Sequence, residues 1–209
     1  MSTLTRIASF ALISASSLSL AVESSSALSI SLNTGTANYS ISGAANVGSG
    51  LNLTTPNGAY FANDADSRWI GPILSASNSA PGGNYVYSTV FSLAGLDPTT
   101  ATISPIKVAS DNLFTSLTLN GNLILVPIAT SNFTGFTSYN IIPATFVSFL
   151  IPSNNTVAFT INNAGGPTGF RAEFSVDATP VPFEFEPTSG LLLIGGYFAT
   201  KRFLRNKKA

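Results

Sequence analysis

The chain has 209 residues and only 9% of them are charged, against a typical ~25%. Ser, Thr, Asn and Gly take the place of charge, yet 44% of residues are apolar, which is enough for a packed core and excludes a disordered composition. The formal net charge is zero, and the chain holds neither cysteine nor histidine. Disulfides, thiolate chemistry, and the commonest general base and metal ligand are therefore excluded.

The first 27 residues read as a signal peptide: Arg6 gives a positive start and Ile7 to Val22 an apolar stretch. Ser25 and Ala27 then stand at −3 and −1 before a scissile bond at Leu28. Ala21 is a second candidate for the residue before the cut. Six of the nine basic residues lie at the two ends of the chain: Arg6, Lys201, Arg202, Arg205, Lys207 and Lys208. Between Leu28 and Ala178 only Arg68, Lys107 and Arg171 face six acids, so no basic patch is available to neutralise phosphates. Nucleic acid is not an expected partner.

From 28 to 178 the sequence predicts an all-β domain, a single antiparallel β-sandwich. Tyr85, Tyr87, Thr89, Phe91 and Leu93 alternate with smaller or polar residues, as do Val157, Phe159 and Ile161. Phe170, Ala172, Phe174 and Val176 form a third alternating set. Turn chemistry separates these runs at Pro81-Gly82-Gly83, Asp97-Pro98, Asn120-Gly121, Pro152 to Asn155 and Gly165-Gly166-Pro167. Asn120-Gly121 sits between two apolar runs and predicts a hairpin.

Residues 179–187 read as an extended, Pro-rich linker. Thr188 to Thr200 is free of charge, and with Phe203 and Leu204 it reads as a short transmembrane helix. The basic cluster after it would stay on the cytoplasmic side. Residues 188–209 are thus expected to be a membrane helix with a basic tail.

This tail, with Pro182-Phe183-Glu184-Phe185-Glu186-Pro187, an apolar helix and a basic end, resembles the PEP-CTERM sorting signal in its Pro-Phe-Glu variant. It lacks a literal Pro-Glu-Pro. The resemblance implies sorting by an exosortase-type membrane protease of a diderm bacterium. The chain would be exported, held in the inner membrane, and then passed to the cell surface or extracellular matrix. A plain C-terminal membrane anchor is the alternative.

The run Ser67 to Pro72, then Ala80 to Leu93, Leu119 to Gly121 and Asn162 to Phe174, is similar to galactose-binding-like jelly rolls of exported proteins. The chain departs from them at Val108-Ala109, where such domains carry Trp-Ala. The resemblance implies a non-catalytic module that contacts extracellular polysaccharide. Trp69 would stack on a sugar, with a place in the β-core as the alternative, and Asn112 and Arg171 would supply polar contacts. Such jelly rolls also often hold a structural Ca²⁺, and Asp64 and Asp66 are the candidate ligands; a solvated Asx turn is the alternative there. No other cofactor is expected.

An enzyme is not expected. No Gly-x-Ser-x-Gly elbow with a later His exists, and Arg171 with Glu173, at i and i+2, reads as an exposed ion pair worth under ~1 kcal/mol. The competing reading of the whole chain is a structural coat or matrix protein with no ligand site.

Overall fold

A computed structural model describes residues 26–44, 52–53, 58–73, 79–127 and 131–181. The apolar stretch of the expected signal peptide, the expected sorting motif Pro182 to Pro187, and the membrane helix expected from Thr188 lie outside these residues. Among the described residues no helix is long and apolar enough to cross a membrane.

The described chain is mostly β. In order it runs β1 (Leu28–Ser31), β2 (Tyr39–Gly43), β3 (Asn52–Leu53), β4 (Ile70–Gly71) and β5 (Gly83–Ser92). A single 3-10 turn at Pro98–Thr100 leads to β6 (Thr102–Ile103), β7 (Ile106–Asp111), β8 (Leu113–Leu119), β9 (Asn122–Leu125) and β10 (Asn132–Tyr139). One short helix, α1 (Pro143–Ser148), precedes β11 (Asn154–Asn163), β12 (Gly169–Glu173) and β13 (Ser175–Ala178). Pro143 starts that helix where its missing N–H costs nothing.

All strand pairs are antiparallel. They form one five-stranded sheet in the order β2-β5-β11-β8-β9 and a second in the order β10-β7-β12-β4-β3. A three-stranded sheet, β1-β13-β6, completes them, and its first pair joins Leu28 to Ala178.

The alternation in the sequence sets which side chains meet. On β5, Tyr85, Tyr87, Thr89 and Phe91 are all buried, as is Leu93 just after it, and on β11 so are Val157, Phe159 and Ile161. The two five-stranded sheets face each other through these rings. Phe170 of β12 lies 4.8 Å from Tyr87 and 4.9 Å from Phe159, centroid to centroid, and Phe114 of β8 meets Tyr139 of β10 at 5.4 Å. The third alternating set is one run in sequence but two strands in space. Its buried side continues from Phe170 through Phe174 to Val176, while pairing passes at Phe174 from the second sheet to the third.

The β8–β9 hairpin turns at Asn120-Gly121, both with positive φ (51° and 80°), as a type I′ turn demands. Asn120 also locks this end to β11: its Oδ1 accepts the N–H of Thr156, and its Nδ2 donates to Asn155 Oδ1 and to the Phe149 carbonyl. Asn155, fully buried, bonds in turn to both backbone groups of Ile151.

One polar atom in this core stands alone. The Tyr87 hydroxyl is buried and has no hydrogen-bond partner among the described residues. Burial also pushes its pKa up. A buried hydroxyl without a partner is a net cost. Tyr87→Phe is therefore expected to raise stability by about 1 kcal/mol, read as a higher urea midpoint with an unchanged slope. A lower midpoint would show that the hydroxyl has a partner.

Candidate functional site

The strand β12 is buried on both faces. Phe170 and Ala172 face the inter-sheet core, whereas Gly169 and Arg171 face outward and are still buried. Their cover is the segment 58–69 together with β10. Tyr60, Trp69 and Ala109 form a second apolar cluster there, with Phe61, Phe133 and Phe136 packed against it. Gly169 lies close under this roof: a Cβ there would stand 3.1 Å from Trp69 Cε3 and 3.2 Å from Tyr60 Cε2, so the rings would have to give by a few tenths of an ångström.

Arg171 is the centre of the arrangement. Its guanidinium lies over the rings of Phe61 (4.5 Å) and Phe136 (5.0 Å). Nε donates to Ser67 Oγ at 2.6 Å, Nη1 to the Ala62 carbonyl at 2.6 Å, and Nη2 to Asp64 Oδ2. Ser67 Oγ passes its own proton toward Glu173 Oε1 at 2.7 Å, and Lys107 Nζ holds the other oxygen of Glu173 at 3.1 Å. Two cations and two carboxylates thus balance. The expected exposed Arg171–Glu173 pair is corrected: the Arg171 side chain is 0% exposed, its distance to Glu173 is 3.7 Å, and Asp64 is its nearer ionic partner. The roof, absent from any strand-alternation argument, is what buries it.

Asp64 closes an Asx turn. Its Oδ1 accepts the N–H groups of Asp66 and Ser67, both at 2.9 Å, while Oδ2 receives Arg171. The Ser67 N–H, followed by the bonds and charge of Arg171, holds its carboxyl below the usual range. Both oxygens already serve donors, and Asp66 contributes its backbone carbonyl to Asn33 Nδ2. Among the described residues no three acidic side chains converge as a metal site would need.

The three residues expected to touch sugar are linked to one another, with Trp69 and Arg171 inside the protein and Asn112 half-buried at its edge. Trp69 is 0% exposed, and its Nε1 donates to the Phe61 carbonyl at 2.9 Å. Its ring packs on Phe61, which carries Arg171 on its other contacts, and on Tyr60 at 4.6 Å. Tyr60 Oη donates to Asp111 Oδ2 at 2.6 Å, and Asn112 Nδ2 donates to Asp111 Oδ1 at 2.6 Å. Asn112 Oδ1 accepts the N–H of Ala164, pinning the Gly165–Gly166 turn. Burial pushes the Asp111 carboxyl above its ordinary pKa, against the lowering effect of the Tyr60 bond.

What this arrangement does chemically is hold a loop onto a sheet. Phe61, Phe136 and Ser67 are as central to it as Arg171; the sequence marked Ser67 only as the start of the run to Pro72 and gave Phe61 and Phe136 no part. Their signal was a cluster of rings, Tyr60-Phe61 and Phe133 with Phe136, beside strands otherwise rich in Ser and Thr. No protein-family model, no curated protein and no solved structure matches the chain.

Proposed function

We propose that the chain is an exported, non-catalytic surface or matrix protein of a diderm bacterium. In this reading its β-domain is a galactose-binding-like jelly roll used as a structural module. The observation that supports the structural reading over sugar binding is the fate of Trp69 and Arg171. A sugar-stacking Trp must show a face to solvent, and here Trp69 is enclosed by Tyr60 and Phe61 while the Arg171 fork is spent on Ser67, Ala62 and Asp64.

The sorting half of the proposal rests on the two ends of the sequence. An exosortase-type protease would cut near Val181 to Pro187 after the helix from Thr188 had paused in the inner membrane. The test is the mass of the surface-exposed form. It should begin at Leu28 and end within Val181–Pro187. A surface form that still ends at Ala209 would leave a plain anchor in place of sorting. The module half is tested on the same purified form with a glycan array. Binding lost in Trp69→Phe, with the fold kept, would return the domain to the sugar-binding class.

A further inference from the structure

The sheet β2-β5-β11-β8-β9 has one face in the core and one face outward, and the outward face is chemically unusual. None of its five strands carries a charged residue. The nine charged side chains among the described residues all lie elsewhere, on residues 64–68, at Asp97, and on the other two sheets. Across the face run registered rows of small neutral side chains. Ser40, Ser88, Ala158, Thr118 and Leu123 form one row across all five strands, and Ser42, Val86, Thr160 and Ser116 a second. Val90 and Thr156 pair beyond them, and Asn162 Nδ2 donates to Asn84 Oδ1 across the strands at 2.8 Å. Val90, Leu123 and Leu113 are exposed apolar side chains on these strands. The aromatic residues of the same strands, Tyr39, Tyr85, Tyr87, Phe91, Phe114 and Phe159, are all buried.

A solvated sheet face ordinarily carries charge, which keeps copies apart. Here that protection is missing. A charged partner would lose its hydration with nothing to replace it, and a sugar would find no aromatic platform. A second sheet of the same kind does fit. Small side chains allow two sheets to approach to about 10 Å, the usual spacing of packed sheets. The strands contribute five, ten, seven, four and ten residues. At about 3.4 Å by 4.8 Å per residue they cover roughly 600 Å² of plane. Two copies would then bury about 1,200 Å² together, the lower bound of a specific interface.

We propose that this face docks a second copy of the chain, sheet against sheet, about a two-fold axis. Docking through this face is independent of how the chain is sorted. Because the chain has no cysteine, a single introduced thiol reports one position. Ala158→Cys lies mid-row on the face, and Ser138→Cys, exposed on β10, is the control. With a thiol crosslinker of about 10 Å reach, Ala158→Cys is expected to give covalent dimers at least about tenfold faster than Ser138→Cys. Ala158→Lys sets like charges against each other and should weaken association in sedimentation equilibrium by about tenfold or more, with an unchanged melting temperature at a concentration where both forms are monomeric. Equal crosslinking at both positions overturns the proposal. So does a dimer that survives Ala158→Lys, or a chain that is monomeric alone and occupied on this face only by an added neutral polysaccharide such as dextran.

Discussion

Replacing Arg171 by alanine is expected to cost about 3–5 kcal/mol, the loss typical of truncating a large, fully buried side chain and leaving its acceptors unpaired, measured by urea denaturation. The guanidinium makes most of the polar ties from the segment 61–67 to β12, beside the Ser67–Glu173 bond. Without it the Ala62 carbonyl and Ser67 Oγ lose their donors, and the rings of Phe61 and Phe136 lose the cation between them. Arg171→Lys should recover only part of the loss, because an ammonium cannot hold three divergent acceptors in one plane. Asp64 adds a pH signature. Its folded pKa lies below its ordinary value, so its contribution is present above about pH 4 and is lost as pH falls through the lower folded value. Half of the Asp64 side chain is in solvent, so this acid-side loss is small, and it should shrink further in Arg171→Ala. A cost below about 1 kcal/mol for Arg171→Ala would mean that the loop is held by its rings alone.

Where side chains alternate, the sequence is a good guide to this protein. The buried sets on β5, β11 and β12–β13 follow directly from a period of two, and Asn120-Gly121 marks its hairpin through the positive φ that those residues tolerate. The pattern fails at Arg171 for a physical reason. Period two says which side of a sheet a residue occupies, and it says nothing about whether a loop covers that side. Arg171 is on the outward side and buried because 58–69 folds over it. Gly169 and Ala109, two small residues on that same side, and the rings at 60, 61, 133 and 136 carried the information. Small residues on the outer side of a strand make room for large ones arriving from a distant loop, and only the paired reading reveals the roof. The charge-free outer face of the first sheet lay in the sequence too, but as five separate segments. Their register, Ser40 against Ser88 against Ala158 against Thr118, is what turns them into one surface.

Phe170→Ala is expected to be as damaging as any change in the inter-sheet core, with a loss of about 3–5 kcal/mol. Phe170 is fully buried on β12, at the middle of the contact between the two five-stranded sheets. Three rings surround it, all from the opposite sheet: Tyr39 of β2 edge-on at 6.2 Å, Tyr87 of β5 at 4.8 Å and Phe159 of β11 at 4.9 Å. Removing the ring therefore forfeits its transfer from water, about 1.5–3 kcal/mol, and leaves a void between partners held on three separate strands. Those strands are fixed by long antiparallel ladders, Asn154 to Asn163 against Gly83 to Ser92 in particular, so they cannot close the gap cheaply. Phe174, at the step from the second sheet to the third, is 4% exposed and among the described residues meets only Phe159, at 5.7 Å, as a ring partner. Phe174→Ala should accordingly fall at the lower end of the ~3–5 kcal/mol range for such truncations. Urea denaturation of both variants gives the order. If Phe174→Ala proved the costlier of the two, the centre of the core would lie at the strand step, and the packing of the two large sheets would depend on it rather than on the ring cluster around Phe170.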